Sequence, residues 1–440
     1  MKKQTAYILL LMLSVSFTGL IVINGRDVKI PELKNRSKEI NGTSEWLNTK
    51  SAIEALQSRL RAKPDDEKTK LKLAMAFIQE SRITGDHAYY DGAALELISD
   101  VLDKDENNFD AICAKATVLL SQHHFNDALN EGKRAVKINP SAAFGYGILT
   151  DACVELGYYE AAVTYADQMN ACRPDLRSYS RISYLREILG DHTGALEAMR
   201  QAVEAGVPGL EQTEWCRVYY GKLYENNGRL AEAEKQYSMS LKNRPGYAYA
   251  LAGLGRIAKA RGNWQEAINY FLQARRMLND YSFCEELSGL YALTNQPAES
   301  TRAIDDALSA LGANSGAETQ AVHGHYADRE LALLWLKKGN SNAALKHALA
   351  EYNRRPGNID VNQTLAWVYY SRSEFSEAGK HIRTALRTRS ANAVLLCQAG
   401  LIFSKCGYTE QGATLIRAAL RINPSLDPYL LAQAKRMLPA

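Results

Sequence analysis

Residues 251–271 read LAGLGRIAKARGNWQEAINYF, and this stretch decides the fold. Two small residues, Gly255 and Ala267, stand twelve positions apart within a helical pattern of apolar residues. Two antiparallel helices pack closely only where the side chains at their crossing are small. Larger residues such as Leu254 and Phe271 fill the space beside that crossing. The stretch therefore predicts a helical hairpin, with Gly255 in its first helix and Ala267 early in its second.

The same pair of small residues recurs along the chain. Nine pairs keep the spacing of twelve, and successive pairs follow at 33 or 34 residues except at two longer steps. A period of this length predicts a stack of hairpins, each burying its apolar face against its neighbours. The first members of the pairs are Ala116, Thr150, Ser183, Gly221, Gly255, Ser288, Ala332, Ala366 and Gly400, and the second members are Ala128, Ala162, Ala195, Ala233, Ala267, Ser300, Ala344, Ala378 and Gly412.

These hairpins resemble the tetratricopeptide repeat, whose pattern is W-x2-L-G-x2-Y, then A-x3-F, then a proline. Gly255, Ala267 and Phe271 occupy its G, A and F positions, and Gly221-x2-Tyr224 matches its G-x2-Y. The tryptophan position is mostly replaced by other residues. The resemblance implies an all-α fold, namely a right-handed α-solenoid of about ten antiparallel helical hairpins.

The resemblance covers about residues 50–440, and the irregular steps divide the chain into segments. We predict a signal peptide or signal-anchor transmembrane segment at 1–24, a tether at 25–44, a half-repeat capping helix at 45–66, repeats one to seven at 67–312, an insertion loop at 313–324, repeats eight to ten at 325–426 and a capping helix at 427–440.

The N-terminus carries the pattern of an export signal. Lys2 and Lys3 precede an almost unbroken apolar stretch from Ala6 to Ile23. About 18 apolar residues are just enough to cross a bilayer, and no A-x-A cleavage site is clear. We expect a membrane-anchored or secreted protein on the extracytoplasmic side, which is the periplasmic side if the source is bacterial. Whether the segment is cleaved, and how it is oriented, stay open.

Composition and motifs argue against several function classes. The net charge of +4 over 440 residues, without a run of basic residues, predicts no nucleic-acid partner. The seven cysteines show no metal-ligand spacing. The sequence has no phosphate-binding loop, HExxH, GxSxG or dinucleotide fingerprint. We therefore predict a protein that is not an enzyme and binds no cofactor.

The resemblance places the working surface in a concave groove lined by the first helices. Aromatic side chains are favoured anchors at interfaces, so those that the repeat register directs to the groove or its rim are our candidates for contact with a protein or peptide partner. They are Phe144, Tyr184, Trp215, Tyr249, Tyr326, Trp367 and Tyr370. Some family members grip a C-terminal carboxylate with Lys and Asn at fixed positions, which this sequence does not reproduce.

The leading functional prediction is a scaffold for protein–protein interaction, exported or membrane-tethered, in assembly of an envelope complex. The alternative is a metal-handling accessory protein. Equivalent turns of stacked repeats line one edge, so His87, His123 and His124 could converge there with Asp86 or Asp91. An enzyme with an unrecognised site is the third hypothesis.

Overall fold

The computed structural model describes residues 30–36, 44–314 and 325–438, and these ranges contain 22 helices and no strand. The helices are α1 (Ser44–Ala62), α2 (Glu67–Thr84), α3 (His87–Leu102), α4 (Phe109–Ser121), α5 (Phe125–Ile138), α6 (Ala143–Leu156), α7 (Tyr159–Cys172), α8 (Leu176–Ile188), α9 (His192–Ala205), α10 (Glu211–Asn226), α11 (Leu230–Asn243), α12 (Ala248–Ala260), α13 (Trp264–Met277), α14 (Tyr281–Leu293), α15 (Pro297–Asn314), α16 (Asp328–Lys337), α17 (Ser341–Arg354), α18 (Ile359–Ser371), α19 (Phe375–Ala385), α20 (Ala393–Lys405), α21 (Thr409–Ile422) and α22 (Pro428–Met437).

Eighteen of these helices form nine consecutive hairpins, from α4–α5 to α20–α21. The second helix of each hairpin also packs against the first helix of the next, and α22 packs against α20. This arrangement buries one continuous series of apolar faces, as a solenoid requires. The prediction of an all-α solenoid of antiparallel helical hairpins is therefore confirmed.

The paired small residues lie where the two helices of a hairpin cross. A methyl group placed on Gly400 would come within 2.6 Å of the carbonyl oxygen of Gly412, so this crossing admits no larger side chain. Where a serine stands instead, it is accommodated by a hydrogen bond, since the Ser183 hydroxyl donates to the Ala195 carbonyl at 2.7 Å. The spacing of twelve thus reports direct contact between helices.

Each of the nine hairpins turns through one residue in the left-handed backbone region. This residue lies seven positions after the first small residue, and its φ is between 58° and 91°. A left-handed residue of this kind commonly ends a helix because it directs the chain away from the helix axis. The nine turn residues are His123, Gly157, Gly190, Gly228, Gly262, Asn295, Gly339, Ser373 and Gly407.

The chain divides into two compact units, with the boundary between Leu73 and Ala74. In the first unit, residues 30–36 lie against α1. The Gln57 side chain donates to the carbonyl of Pro31 at 2.7 Å, and the Arg36 guanidinium lies 4.8 Å from the ring centre of Trp46. Part of the segment predicted as a tether is therefore packed against a helix.

Within the second unit, turns inside hairpins contact connections between hairpins about 200 residues later. The backbone turns at Gly157 and Gly357 lie so close that a methyl group on Gly157 would come within 2.3 Å of the Gly357 carbonyl. Four such contacts follow in succession. They join residues 122–124 to 325–326, 155–159 to 355–359, Gly190 to Arg389, and 225–228 to 422–424. We call this set of contacts the seam.

The second of these contacts is densely hydrogen-bonded. The side-chain amide of Asn358 donates to the carbonyl of Glu155 at 2.9 Å, and the backbone N–H of Ile359 donates to the Tyr159 hydroxyl at 2.9 Å. Arg387 donates to the carbonyls of both Gly157, at 2.5 Å, and Gly357, at 2.8 Å. The seam therefore ties early hairpins to late ones by specific bonds.

Two other sequence features can be placed. All seven cysteines are free; five are buried among apolar residues, Cys406 is partly buried and Cys172 is exposed. None of the helices in residues 44–314 and 325–438 combines the length and the hydropathy that crossing a bilayer needs. The predicted N-terminal signal segment lies outside the described residues, and so do residues 315–324 of the predicted insertion loop.

Candidate functional site

Helices α2, α4, α6, α8 and α10 line a cavity of about 880 Å³. Helices α4, α6, α8 and α10 are the first helices of successive hairpins, and stacking brings their equivalent faces into one continuous surface. A volume of this size lies within the range of ligand-binding clefts. We call this cavity and its walls the inner groove.

Helix α10 places aromatic side chains on the inner groove. Trp215 lines the cavity and keeps 40% of its surface exposed. One helical turn later Tyr219 stacks on it, with ring centres 5.5 Å apart, and Tyr219 meets the edge of Tyr184 from α8 at 6.3 Å. The start of α10 is held by the buried Glu214 carboxylate, which accepts the backbone N–H of Gly209 at 2.9 Å. Trp215 therefore lies on a helix whose start is held by this hydrogen bond.

Helix α8 begins with a capping box that sets the opposite end of the aromatic surface. Asp175 accepts the backbone N–H groups of Arg177 and Ser178 at 2.9 and 3.2 Å, and the Ser178 side chain accepts the N–H of Asp175. The guanidinium of Arg177 then lies 5.9 Å from the ring centre of Phe144 on α6. Phe144 and Arg177 both line the cavity.

Most charges on the first helices are paired with a neighbour. Arg181 on α8 binds both carboxylate oxygens of Asp151 on α6, at 2.8 and 2.5 Å. Burial opposes the charge of Arg181, but the Asp151 carboxylate outweighs it and raises the pKa above its ordinary value. Arg256 on α12 pairs in the same way with Glu225 on α10, at 2.9 Å. These pairs link successive first helices and leave little free charge.

Two cations depart from this pattern. No carboxylate of the described residues forms an ion pair with Arg177 or Lys222. The Lys222 ammonium lies 5.9 Å from the ring centre of Tyr219. Burial lowers the pKa of Lys222, and repulsion by Arg256 lowers it further. The carboxylates of Glu187 and Glu225 act in the opposite direction, so Lys222 lies among charges of both signs.

The seam brings a second wall towards this surface. Burial raises the pKa of Tyr184, and the Asp360 carboxylate on α18 is the next largest cause. Burial also raises the pKa of Tyr219, with the Glu187 carboxylate as the next largest cause and Asp360 as a smaller one. Asn358, which precedes α18, also donates to the carbonyl of Glu155, a residue that lines the cavity, so α18 begins beside the groove. A ligand in this part of the groove would lie between the two walls.

The seven aromatic residues predicted to contact a partner are distributed over several environments. Phe144, Tyr184 and Trp215 line the inner groove together. Tyr249 packs against Tyr247 and Phe283 between hairpins. The remaining members are Tyr326, which belongs to the seam, and Trp367 and Tyr370, which stack on each other at 4.9 Å beside the apolar core of the last hairpins.

Two of the three histidines proposed as metal ligands, His123 and His124, lie at the seam, and His87 does not. His123 donates through Nδ1 to the Tyr326 carbonyl at 2.6 Å, and its ring centre is 4.4 Å from that of His325. The ring of His124 packs against that of Tyr326 instead, with ring centres 4.4 Å apart. His87 Nδ1 lies 3.4 Å from the Asp91 carboxylate. In the part of the chain that the structure describes, no three His, Cys, Asp or Glu side chains are arranged to hold a metal ion, so the metal hypothesis stays without a ligand set.

Lys222 and the seam were not among the predicted site features. Lys222 lies seven residues after Trp215, which places both on one face of α10. That spacing is a sequence signal that would have found it. The seam has no such signal, because its partners are about 200 residues apart.

The fold and the inner groove define a helical-repeat protein with a concave interaction surface. Residues 221–281 match the family model of the tetratricopeptide repeat. This match covers one part of the chain, and the helical hairpins that repeat on both sides of it confirm the predicted resemblance to the tetratricopeptide repeat. Proteins with these repeats generally mediate protein–protein interactions, and the fold is typically that of a non-enzymatic scaffold.

Several solved structures are similar to this chain. A thermophilic tetratricopeptide-repeat protein of Thermus thermophilus is 26% identical, covering 41% of this chain and 92% of its own, with a TM-score of 0.36. YrrB, described as having an unusual peptide-binding site, is 20% identical over 43% of this chain and 96% of its own, with a TM-score of 0.30. The human IFIT1 dimer with PPP-AAAA is 13% identical over 86% of each chain, with a TM-score of 0.45. No curated protein matches the sequence.

Proposed function

We propose that this protein is a non-enzymatic scaffold that binds a segment of a protein partner in the inner groove. The observation that carries the proposal is the half-exposed Trp215, supported by the stacked Tyr219 and set in a cavity of about 880 Å³. A large aromatic side chain on a rigid helix loses little conformational entropy on binding, and such residues dominate binding energies at interfaces. The partner of a groove flanked by a second wall is an extended segment and not a folded domain.

The test places a photo-crosslinking amino acid, p-benzoylphenylalanine, at position 215 of the full chain in its native host. Tyr408 is the matched control position, because it is also an exposed aromatic residue and does not line the inner groove. We expect a crosslinked protein from position 215 and none from position 408. Equal capture at both positions, or none at either, would argue against the groove.

The captured protein, once identified and purified, allows a quantitative check. Trp215→Ala should weaken its binding by at least about tenfold, since a central aromatic anchor is worth more than 1.4 kcal/mol. Tyr408→Ala should leave the affinity unchanged. Isothermal titration calorimetry measures both, and equal affinities for the two variants would remove Trp215 from the interface.

We further propose that the scaffold is exported or held at a membrane by residues 1–24, and that it serves the assembly of an envelope complex. The support is the sequence alone, namely Lys2 and Lys3 followed by the apolar stretch Ala6–Ile23. Fractionation of native cells with alkaline carbonate extraction tests it. An anchored protein stays with the membrane pellet, a cleaved one enters the extracytoplasmic fraction, and recovery in the cytoplasm would refute export.

A further inference from the structure

Positive charge is concentrated in the last part of the chain, residues 378–440, which we call the basic region. It contains nine Lys or Arg and two Asp or Glu, whereas the whole chain has a net charge of only +4. All nine cations are exposed, and Lys380 forms an ion pair, with Glu377 at 2.6 Å. The other eight form no ion pair with the described residues; they are Arg383, Arg387, Arg389, Lys405, Arg417, Arg421, Lys435 and Arg436.

An earlier hairpin shows how such charge is neutralised elsewhere in the array. Arg200 of α9 and Arg417 of α21 hold the same repeat position, five residues after the second small residue of their hairpins. Arg200 pairs within its own helix with Glu197 and Glu204, at 2.6 and 2.5 Å. At the corresponding positions Arg417 has a threonine and Arg421. Helix α21 therefore presents two cations one helical turn apart without a carboxylate beside them.

The two arginines of α21 also border a depression in the surface. Its volume is about 600 Å³, and its lining includes the partly buried Leu420 as well as Arg417 and Arg421. Of the two carboxylates in the basic region, Asp427 already pairs with Lys259 at 3.1 Å. This part of α21 therefore combines free positive charge with an apolar contact, as the surface that receives another protein does.

The same chain carries the complementary charge in residues 86–110, which we call the acidic region. This region forms α3 and its connection to α4, and it contains eight Asp or Glu and one Lys. Five of its carboxylates are exposed and form no ion pair with the described residues; they are Glu96, Asp103, Asp105, Glu106 and Asp110. Arg134 of α5 reaches the connection, where it donates to the Glu106 carbonyl, but Glu131 neutralises its charge at 2.7 Å.

The basic and acidic regions do not neutralise each other within one molecule. The seam brings the basic region, at Arg389 and residues 422–424, against the turns at Gly190 and residues 225–228. These turns belong to hairpins that follow the acidic region by some 80 residues or more along the chain. The unpaired charges of the two regions therefore face solvent separately, and a second molecule can bring them together.

We propose that Arg417 and Arg421 of one copy of this chain dock on the acidic residues 96–110 of a second copy. Opposite charges on the two surfaces select this pairing and speed it. Because the two surfaces differ, each copy can bind one neighbour through its basic region and another through its acidic region. Contacts of this head-to-tail kind build a row of copies, or a ring where the rotation closes.

Nucleic acid and anionic lipid are also attracted to basic surfaces. A second copy is favoured for two reasons. Its acidic region is always present in equal amount to the basic region, and Leu420 beside the arginines offers a protein surface an apolar contact that a phosphate backbone does not use. The other two ligands are outcomes that the test must separate.

The test measures the mass of the purified full chain by sedimentation velocity in a neutral detergent, which covers the apolar stretch Ala6–Ile23 and adds no charged headgroup. We expect oligomers at about 50 mM salt that dissociate at about 500 mM salt, because salt screens exposed charges. Arg417→Glu combined with Arg421→Glu should weaken association by about tenfold or more. Arg276→Glu is the matched control, since Arg276 is exposed at the repeat position of Arg421 on α13, and it should associate like the wild type.

A reversal of charge on the other surface separates docking from misfolding. Asp103→Lys combined with Glu106→Lys should also associate weakly by itself, whereas Asp167→Lys, at an exposed residue of α7, should not change association. An equimolar mixture of the arginine and the acidic-region variants should associate again at low salt, because each keeps the surface that the other has lost. A misfolded variant would not be rescued in this way.

A monomeric wild type at low salt, unchanged association in the arginine variant, or no association in the mixture would each overturn the proposal. Association that needs added phosphatidylglycerol would assign the basic region to anionic lipid instead. A monomeric wild type that binds an oligouridylate, with binding lost in the arginine variant, would assign it to nucleic acid.

This self-association is independent of partner binding in the inner groove, since neither region lines that cavity. Crosslinking from position 215 and association of copies can therefore succeed or fail separately. Tyr408 precedes α21 and lies about 14 Å from Arg417 along the helix axis, so position 408 stays a control for the groove.

Discussion

Replacing Asn358 by alanine should destabilise the protein through the seam. The Asn358 side-chain oxygen accepts the backbone N–H groups of Asp360 and Val361 at 2.9 and 3.0 Å, so it caps the start of α18. Its amide nitrogen donates across the seam to the carbonyl of Glu155 at 2.9 Å. Asn392 is a matched control, because it caps α20 with the same geometry and its amide forms no bond across the seam to the described residues.

The losses in the free energy of unfolding caused by the two substitutions should differ by the contribution of the seam hydrogen bond. Loss of an asparagine cap costs about 1 kcal/mol, which applies to both positions. Asn358 is 3% exposed, so its removal also leaves a buried carbonyl without its partner, at a cost of about 1–3 kcal/mol. We therefore expect Asn358→Ala to lower the free energy of unfolding by about 2–4 kcal/mol and Asn392→Ala by about 1 kcal/mol.

Urea unfolding of the full chain, followed by circular dichroism, measures the difference. Hydrogen exchange locates it, since amides of residues 154–159 lie across the seam from Asn358 and should exchange faster in Asn358→Ala but not in Asn392→Ala. Equal destabilisation by the two variants, together with unchanged exchange at residues 154–159, would refute the seam as a stabilising contact.

Three further outcomes follow from the same structure. Gly407→Ala should lower the free energy of unfolding by about 1–2 kcal/mol, because the alanine must adopt a left-handed conformation. Gly157→Ala should lower it clearly more, because its methyl group would also meet the opposite turn of the seam, and the urea midpoints of the two variants measure the difference. Burial, aided by a neighbouring histidine, lowers the pKa of His325 to about 4. Between about pH 6.5 and 4 the unfolded chain therefore binds a proton that the native protein does not, so the free energy of unfolding should fall by up to about 3 kcal/mol on acidification. Urea unfolding at a series of pH values measures this, and the free energy of unfolding should depend less on pH in His325→Asn. At about pH 8 the exposed Cys172 should react with iodoacetamide. Burial raises the pKa of Cys113 to about 12, so this thiol should react only after unfolding, and peptide mass spectrometry can show the difference.

The hairpins could be predicted because their determinants are local. Gly400 and Gly412 are twelve residues apart in sequence and in contact in space, so the pattern of small residues reports the crossing directly. The same register directs the first helices to the groove and correctly brings Phe144, Tyr184 and Trp215 to one cavity. A repeat period is thus sufficient for both the fold and the lining of its concave face.

The rest of the site depends on contacts that no period encodes. Tyr326 belongs to the connection at which the chain meets its own earlier turn. Its ring therefore packs against His124 and lies 4.3 Å from the Arg354 guanidinium, and not in the groove. The position of that meeting is the sum of small rotations over many hairpins. Gly157 gives no separate signal, because a glycine is favoured at its turn whether or not another chain segment lies against it.

The seam also changes how the groove must be understood. In a simple repeat array each repeat contacts only its neighbours, but here Asn358 at the start of α18 bonds to Glu155, a residue that lines the groove of an early hairpin. The width of the groove at Glu155 is therefore coupled to the seam. An extended partner segment that fits between the walls should bind Asn358→Ala with unchanged affinity, whereas a bulky partner that must separate them should bind this variant more tightly. The direction of that change, measured by calorimetry with the captured partner, distinguishes a segment held in a closed groove from a domain that opens it.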